Sequence, residues 1–432
     1  MLKIFFLFIL FICTVFIDLP LSHEIGTIGK SLMIFFAPIV GFIIIYYKPS
    51  IIKQKDVKLF FEYYFISIAI SSCILFFYIL IAGNVFDIYN KFMFLKLIFA
   101  STYILIFGFA YLSYRYIFIY INIKKIRIFF QFVFIFLSAV GLIELFNRHL
   151  FTAMYLHSIN VYYYRLRLLT SEPSQAFLLY GIFALLAIIS SSSKLIRILF
   201  VFIFLFFSVL IGSKGGLILI SFSLFILILF NLKRFLNLKN IILLIIIIIA
   251  CFYFFNIAFH STIEGIQYKF TSFTTRSAWI IATLISLIFF PIGEGYGTYL
   301  SFIGSILKKS CIILKNLVPF PLAFSEVHNE ILYGLNLGAK AGIQNQIIYN
   351  GWIAIIFYFI LFTNAYKKIK YLNFNYFEKF LLKFLLIFIF LEIFLVVNTA
   401  VMYAYIIPIA LINSLYQNKF SRNNNMNLNN VD

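Results

Sequence analysis

Long apolar runs separated by short polar segments make up most of this 432-residue chain. Most runs hold about twenty residues, the length that an α-helix needs to cross the hydrocarbon core of a bilayer. Because a lipid-exposed backbone must satisfy its own hydrogen bonds, the pattern predicts an all-α polytopic membrane protein with about twelve transmembrane helices. The predicted spans cover residues 3–20, 29–47, 59–82, 94–113, 128–146, 174–192, 196–212, 215–230, 240–259, 346–365, 380–397 and 400–416.

The composition excludes an ordinary soluble protein. Hydrophobic residues make up 64% of the chain, and the mean hydropathy is +1.06. A soluble domain built from these residues would expose one continuous apolar patch. The net charge of +20 would indicate a nucleic-acid partner in a soluble protein. In a membrane protein, topology explains the charge, because Lys and Arg hold loops on the cytoplasmic side. No nucleic-acid partner is therefore expected.

The basic segments alternate between the predicted spans, which sets the orientation. They all fall on one side, together with both termini, and the positive-inside rule assigns that side to the cytoplasm. The segments are KPSIIKQKDVK, KKIR, SKLIR, NLKRFLNLKN and AYKKIKYLNFNYFEK. Both termini are therefore predicted to be cytoplasmic, and the remaining loops are predicted to face outward.

Two outer loops are long enough to carry chemistry. The larger contains WIIATLISLIFFPI (279–292), which is apolar but short, and a full crossing there would move the following KKIK segment outside. We therefore predict a re-entrant or interfacial helix at this position. The predicted organisation is N-terminal helices (1–146), an outer loop (147–173), central helices (174–259), a large outer loop (260–345), C-terminal helices (346–418) and a disordered, Asn-rich cytoplasmic tail (419–432).

Four basic residues fall on the predicted outer side, against the general bias. They are Arg165, Arg167, Lys214 and Arg276. Each could extend its charged end to lipid headgroups. As a set they indicate a site for a phosphate or diphosphate, since Arg binds phosphate with two parallel hydrogen bonds and Lys acts as a point charge. On an outer membrane face, the natural anionic substrate is a lipid-linked phosphate.

Two further outer segments hold candidate acid–base groups. In LLTSEPSQAF (168–177), Ser171 or Thr170 could cap a helix that Pro173 begins, with Glu172 in its first turn. Glu172 could instead orient the arginines or accept a hydrogen bond from a sugar hydroxyl. His328, in SEVHNEIL, is a candidate base, because the pKa of histidine lies near neutrality, or it is a surface histidine without a role.

Two carboxylates, Glu144 and Glu392, lie within or near the outer ends of predicted spans. A carboxylate at that depth is a functional candidate with an expected partner, or it forms a structural pair with a Tyr or Asn of a neighbouring helix. The sequence contains no DxD pair, HExxH, Walker loop or Cys/His cluster. No cofactor or metal is therefore expected, and any leaving group must arrive already activated.

Four stretches, in matching order, resemble the O-antigen polymerases (Wzy proteins) and the related O-antigen ligases. An outer-loop Arg precedes a Ser-Glu-Pro-Ser turn, a Gly-Ser-Lys-Gly turn begins a helix, an Arg and a Trp precede a Pro-x-Gly-x-Gly segment, and a His-Asn pair precedes a Gly-rich return to the membrane. The stretches are RLRLLTSEPSQAF, IGSKGGLILI, TTRSAWIIATLISLIFFPIGEGYGTY and HNEILYGLNLGAKAGIQNQIIYNGWIAII. Lys214 departs from the family pattern, in which Arg is common.

The resemblance implies a GT-C-like, metal-independent glycosyltransferase of the bacterial inner membrane. It would join repeat units carried on undecaprenyl diphosphate, which serves as donor and acceptor, and a chain-length regulator protein is a possible partner. Carried over, Arg165 or Arg167, Lys214 and Arg276 would bind the diphosphate, and His328 or Glu172 would position or deprotonate the acceptor. The alternatives are an O-antigen ligase and a lipid-linked oligosaccharide flippase.

Overall fold

The computed structural model describes residues 2–25, 29–148, 157, 165–230, 271–319, 322–334, 337–398 and 402–428. Within these ranges the regular elements are all helical, which confirms the predicted all-α class. The predicted span 240–259 and most of the predicted loop 147–173 lie outside the described residues.

The helices are numbered in chain order. They are α1 (Leu2–Val15), α2 (Ser22–Ile25), α3 (Met33–Tyr47), α4 (Lys55–Ala82), α5 (Met93–Tyr120), α6 (Ile123–Phe146), α7 (Pro173–Ser190), α8 (Lys194–Ile211), α9 (Lys214–Phe230), α10 (Thr271–Phe289), α11 (Tyr299–Leu317), α12 (Ser325–Tyr333), α13 (Gly342–Asn350), α14 (Trp352–Ile369), α15 (Tyr376–Leu395) and α16 (Ile406–Leu428), with 3₁₀ turns at Pro49–Ile51 and Tyr403–Tyr405.

Six helices of the described part are long and apolar enough to cross a membrane, namely α4, α5, α6, α7, α8 and α14. Among them α7 is distinctive, because 94% of its apolar window is buried inside the protein, against 17% to 39% for the others. It packs against α6, α8, α9 and α15. A helix that is apolar on every face fits a central position of this kind. The central helix α7 therefore fixes the arrangement of its neighbours.

A buried arginine joins several helices at one end of the bundle. Arg115 is 2% exposed, and its Nε donates to Asp56 Oδ2 at 2.7 Å. Its other two nitrogens donate to Ser414 Oγ and Gln417 Oε1 at 2.9 and 2.8 Å. Tyr111 also donates to Asp56. A buried guanidinium is tolerated when its donors are paired in this way, and this cluster holds the start of α4, the end of α5 and the middle of α16 together.

A second charged cluster joins three more helix ends. Glu378, near the start of α15, accepts a hydrogen bond from Arg197 of α8 at 3.2 Å and lies 3.8 Å from Arg127 of α6. Asn375 caps α15 through a reciprocal pair of hydrogen bonds with Glu378. The helix ends next to KKIR, SKLIR and AYKKIKYLNFNYFEK therefore meet, as their shared predicted side requires.

The segment predicted as the large outer loop contains three helices with a hydrophobic core of their own. Trp279 of α10, Leu307 of α11 and Val327 of α12 are fully buried in it. The apolar helix predicted over 279–292 begins earlier, at Thr271, and ends at Phe289 before a proline. Helix α11 was not predicted. Its buried residues recur every three or four positions, and its lysines lie on the opposite, exposed face.

The predicted span 346–365 is divided in two. Helix α13 ends at Asn350, Gly351 has φ +57°, and α14 begins at Trp352. The break lies against the loop after α10, where the Trp352 N–H donates to Pro291 O at 2.9 Å. Gly293, with φ +94°, lies against the backbone of Tyr349. Two backbones can approach this closely because neither glycine carries a side chain.

At the C-terminus, α16 continues to Leu428. It therefore includes most of the Asn-rich segment for which the composition predicts disorder. Residues 429–432 lie outside the described residues.

We expect Gly351→Ala to destabilise the protein by about 2–4 kcal/mol, because the new methyl group meets the Pro291 carbonyl and a left-handed conformation is unfavourable for alanine. The matched control is Gly83→Ala. Gly83 has φ +63°, but a methyl group added there would have no atom within 4 Å, so only the conformational cost of about 1 kcal/mol applies. Thermal unfolding in detergent measures both variants, and equal shifts in Tm would contradict the close approach.

Glu294, in the loop between α10 and α11, carries a buried carboxyl group. It is 0% exposed, its Oε1 accepts a hydrogen bond from Ser286 at 2.6 Å, and its Oε2 has no partner among the described residues. Burial raises the pKa of Glu294 to about 8. The folded protein therefore keeps this proton at pH values where the unfolded chain, with an ordinary pKa of 4.5, has released it.

Because the folded state binds the additional proton, we expect stability to fall as pH rises from about 4.5 to about 8 and then to level off. Glu294→Gln should remove that decline, since the amide stays neutral throughout. The control is Glu62→Gln, which changes an exposed carboxylate. The measurement is Tm in detergent between pH 5 and pH 9. An unchanged slope in the Glu294 variant would exclude this carboxyl as the cause.

Candidate functional site

The candidate site forms around Val396, just after the end of α15 and at the opposite end of that helix from Glu378. Arg276, on the first turns of α10, donates from Nη1 to Val396 O at 3.0 Å. The Arg276 side chain is half-buried. One of the four cations singled out in the sequence is thus fixed to the end of α15.

Lys214 reaches the same place from α9. The turn before it is tight, since Gly212 ends α8 with φ +57° and Ser213 Oγ accepts a hydrogen bond from Gly216 N at 3.3 Å. A Cβ atom at position 215 would lie 3.2 Å from a methyl group of Val396. Glycine at 215 therefore lets the start of α9 approach Val396 and leaves Lys214 exposed beside it.

The Arg165 side chain lies against the same turn. Its Nη1 donates to Gly212 O at 3.1 Å, and its aliphatic carbons lie over Gly212. The side chain is otherwise exposed. Arg165 therefore contacts the turn that leads into Lys214, and Gly215, next to Lys214, lies against Val396, to which Arg276 donates.

Arg167 is placed differently. It is only 2% exposed, and its backbone N–H donates to Glu144 Oε1 at 2.9 Å. The next N–H, of Leu168, donates to Glu144 Oε2 at 2.8 Å, and Leu168 has φ +52°. The deep carboxylate Glu144 thus holds a strained piece of backbone through N–H groups rather than a Tyr or Asn side chain. Of the two arginines, Arg165 is the one accessible to a ligand.

Pro173 is the first helical residue of α7, as predicted, but Glu172 immediately precedes the helix rather than lying in its first turn. No side chain caps this helix start; Ser171 donates to Gln175 Oε1 at 2.8 Å, and Thr170 donates to the Arg167 carbonyl at 2.8 Å. These two residues therefore do not act as the predicted caps, because their hydroxyl groups donate within the turn. Glu172 is exposed and interacts electrostatically with Arg276.

Arg276 faces three carboxylates. Glu172, Glu392 and Glu326 all interact with its charge. Glu392, on the last turn of α15, is 0% exposed, and neither of its oxygens has a hydrogen-bond partner among the described residues. Glu392 thus interacts with the Arg276 charge and makes no hydrogen bond through its side chain among the described residues.

Helix α12 directs its acidic face towards α10. Glu326 accepts a hydrogen bond from Thr275 at 2.8 Å, and Glu330 accepts one from Trp279 Nε1 at 3.1 Å. Lys340 lies between the two carboxylates, 3.1 Å from Glu326 and 2.5 Å from Glu330. Burial raises the pKa of Glu330 although Lys340 opposes the shift. The carboxylates are thus occupied in attaching α12 to α10.

His328 lies on the opposite face of the same short helix. It is exposed, and its ring contacts that of Phe324 with a centroid separation of 6.2 Å. Residues two positions apart on a helix point in opposite directions, whereas positions 326 and 330 share a face. The structure therefore does not bring His328 together with its flanking carboxylates.

The Gly-rich return segment covers the end of α15. The Gln344 side chain donates to Phe394 O at 2.8 Å, and the Gly342 N–H donates to Val397 O at 2.9 Å. With Arg276 on Val396 O, three carbonyls at this helix end receive donors from α10 and from the return segment. The sequence reasoning missed this role of Gln344 and also missed Lys340. The one signal was their position in a Gly- and Ala-rich stretch.

Two exposed cations beside a half-buried arginine can bind an anion with several oxygens. Among the residues that the structure describes, no three His, Cys, Asp or Glu side chains are grouped so that they could hold a metal ion. Comparison of the chain with protein-family models, curated proteins and solved structures finds no match.

We expect Arg276→Gln to destabilise the protein, because Val396 O loses its donor and the buried Glu392 loses the nearby positive charge. Adding Glu392→Gln should recover part of that loss, with a coupling of about 1 kcal/mol in a double-mutant cycle. The control is Arg165→Gln, whose exposed side chain should show no coupling to Glu392→Gln. Thermal unfolding of the variants in detergent measures the cycle, and additive effects at 276 and 392 would contradict the pairing.

Proposed function

We propose that the protein is an O-antigen polymerase of the Wzy type. It would be a metal-independent glycosyltransferase that joins undecaprenyl-diphosphate-linked repeat units at the outer face of the bacterial inner membrane. The observation that carries the proposal is that Arg165 and Lys214 lie at the turn between α8 and α9, and that this turn packs against Val396, to which Arg276 donates. The three residues lie in three of the four stretches in which the sequence resembles that family.

The proposed topology has about twelve spans, both termini in the cytoplasm and a GT-C-like arrangement. The basic helix ends meet at one end of the bundle, through Arg115 and Glu378, and the three cations lie at the other. This separation supports an outward-facing site, since the positive-inside rule places the basic ends in the cytoplasm. The donor and acceptor lipids then reach the site from the outer leaflet.

In the proposed reaction, a sugar hydroxyl of the acceptor repeat unit attacks the anomeric carbon of the donor glycan. The bond from that carbon to the diphosphate oxygen breaks, and its electron pair stays on the diphosphate. Arg165, Lys214 and Arg276 supply fixed positive charge where this negative charge develops. The carboxylates around Arg276 keep it in place before the substrate arrives.

The proton of the attacking hydroxyl needs an acceptor. Of the two candidates, Glu172 is exposed and close enough to Arg276 to interact with its charge. His328 lies on the exposed face of α12, away from the carboxylates that attach this helix to α10. We therefore assign acceptor positioning and proton removal to Glu172. A chain-length regulator is a proposed partner on family grounds alone.

The test is deletion of the gene in its host, followed by gel and mass-spectrometric analysis of surface glycan and lipid-linked intermediates. We expect undecaprenyl diphosphate carrying one repeat unit to accumulate on the outer face, while long chains disappear. Long polymer that stays on undecaprenyl diphosphate would indicate a ligase instead. Single units trapped on the cytoplasmic face would indicate a flippase. Either result would overturn the proposal.

Complementation of the deletion strain then tests the residues. Arg165→Gln, Lys214→Gln and Glu172→Gln should each lower polymer formation by about 100-fold, whereas His328→Ala should restore it. The matched control is Lys125→Gln, an exposed lysine on the first turn of α6. Membrane levels of each variant are compared by immunoblot. Wild-type levels of polymer in the Arg165 and Lys214 variants would contradict the proposed diphosphate site.

A further inference from the structure

A groove opens on the surface of the bundle between α9, α14 and α15. Its volume is about 690 Å³, within the range of about 300–1,000 Å³ that is usual for sites of small molecules. The walls are mainly aromatic and aliphatic and include Phe359 and Phe362 of α14 and Ile387 and Phe390 of α15. Phe359 is 65% exposed. The groove therefore offers an apolar surface that is open from the side of the bundle.

One end of the groove is charged. Lys367 and Lys383 line it there, together with Tyr366. The Lys383 ammonium lies 5.1 Å from the centre of the Tyr366 ring, and Lys367 is exposed. Lys383 also falls inside the predicted span 380–397, where a charged residue is costly and marks a functional position by default. Two cations thus lie at the end of a largely apolar groove.

We propose that this groove binds an anionic membrane phospholipid. An acyl chain would lie along Phe359, Phe362, Ile387 and Phe390, and Lys367 and Lys383 would bind the headgroup phosphate. The apolar walls match hydrocarbon, and the two ammonium groups complement a phosphate at one end. The site lies at the end of the bundle that carries the basic segments, and anionic lipid is attracted to basic segments at the cytoplasmic surface.

The lipid site is separate from the cations around Val396. Lys383 and Val396 are thirteen positions apart along α15, which corresponds to about 20 Å of helix. The groove also includes Ile226 and Phe230 of α9. A bound lipid would therefore hold the end of α9 against α14 and α15, without a part in the proposed glycosyl transfer.

The experiment is native mass spectrometry of the full chain released from nanodiscs that contain equal amounts of phosphatidylglycerol and phosphatidylcholine. We expect the wild-type protein to retain phosphatidylglycerol preferentially. Lys367→Gln combined with Lys383→Gln should lower that retention at least fivefold. The matched control is Lys370→Gln combined with Lys379→Gln, which removes two charges from the same region but outside the groove lining. It should retain lipid as the wild type does.

A second pair of variants tests the apolar part without a change of charge. Ile387→Trp should fill the groove and lower retention, whereas Ile356→Trp, at an exposed position of α14 outside the groove, should not. Size-exclusion profiles and Tm values confirm that each variant is folded. Equal retention of both lipids, or no loss in either groove variant, would overturn the proposal. So would a polyprenyl phosphate found as the retained molecule in protein purified from native membranes.

Discussion

The hydrogen bonds to the carbonyl groups at the end of α15 are the interaction on which the position of α10 and of the return segment depends. A helix end leaves its last carbonyls without intrahelical donors, and at the edge of an apolar bundle each must find one. Here the donors are Gln344, Arg276 and Gly342, and all three belong to the segment after α9. The hydrogen bonds that these carbonyls accept therefore attach α10 and the return segment to the bundle.

The same requirement explains why Arg276 combines two roles. Its guanidinium donates to Val396 and interacts with Glu392, while Gly215 lets the start of α9, next to Lys214, pack against Val396. A guanidinium has five donors, so a bond to one carbonyl leaves others for an anion. By contrast, Arg115 at the opposite end of the bundle is buried, and all three of its nitrogens donate to protein groups. Hydrogen bonds therefore enclose the guanidinium of Arg115, whereas the side chain of Arg276 remains partly exposed.

Sequence reasoning could find the helices, because a run of twenty apolar residues admits few other structures. It also selected Arg165, Lys214 and Arg276, since cations on the predicted outer side break a strong topological rule. It could not separate Arg165 from Arg167, because the distinction rests on Glu144 binding two backbone N–H groups. The apolar pattern also does not indicate the break between α13 and α14. A single glycine in an apolar run is common, and the loop that requires Gly351 lies about sixty residues away.

Helices α9 and α15 connect the two ends of the molecule. Lys214 begins α9 and Phe230 ends it, while α15 carries Lys383 near one end and Glu392 near the other. The two helices pack against each other, and Gly215 keeps them in close contact at Val396. The charged end of the groove therefore lies at one end of α9 and α15, while Lys214 and Val396 lie at the other, about 20 Å away along α15. A phospholipid in the groove would hold α9 and α15 together at one end, and the proposed glycosyl transfer would take place at the other.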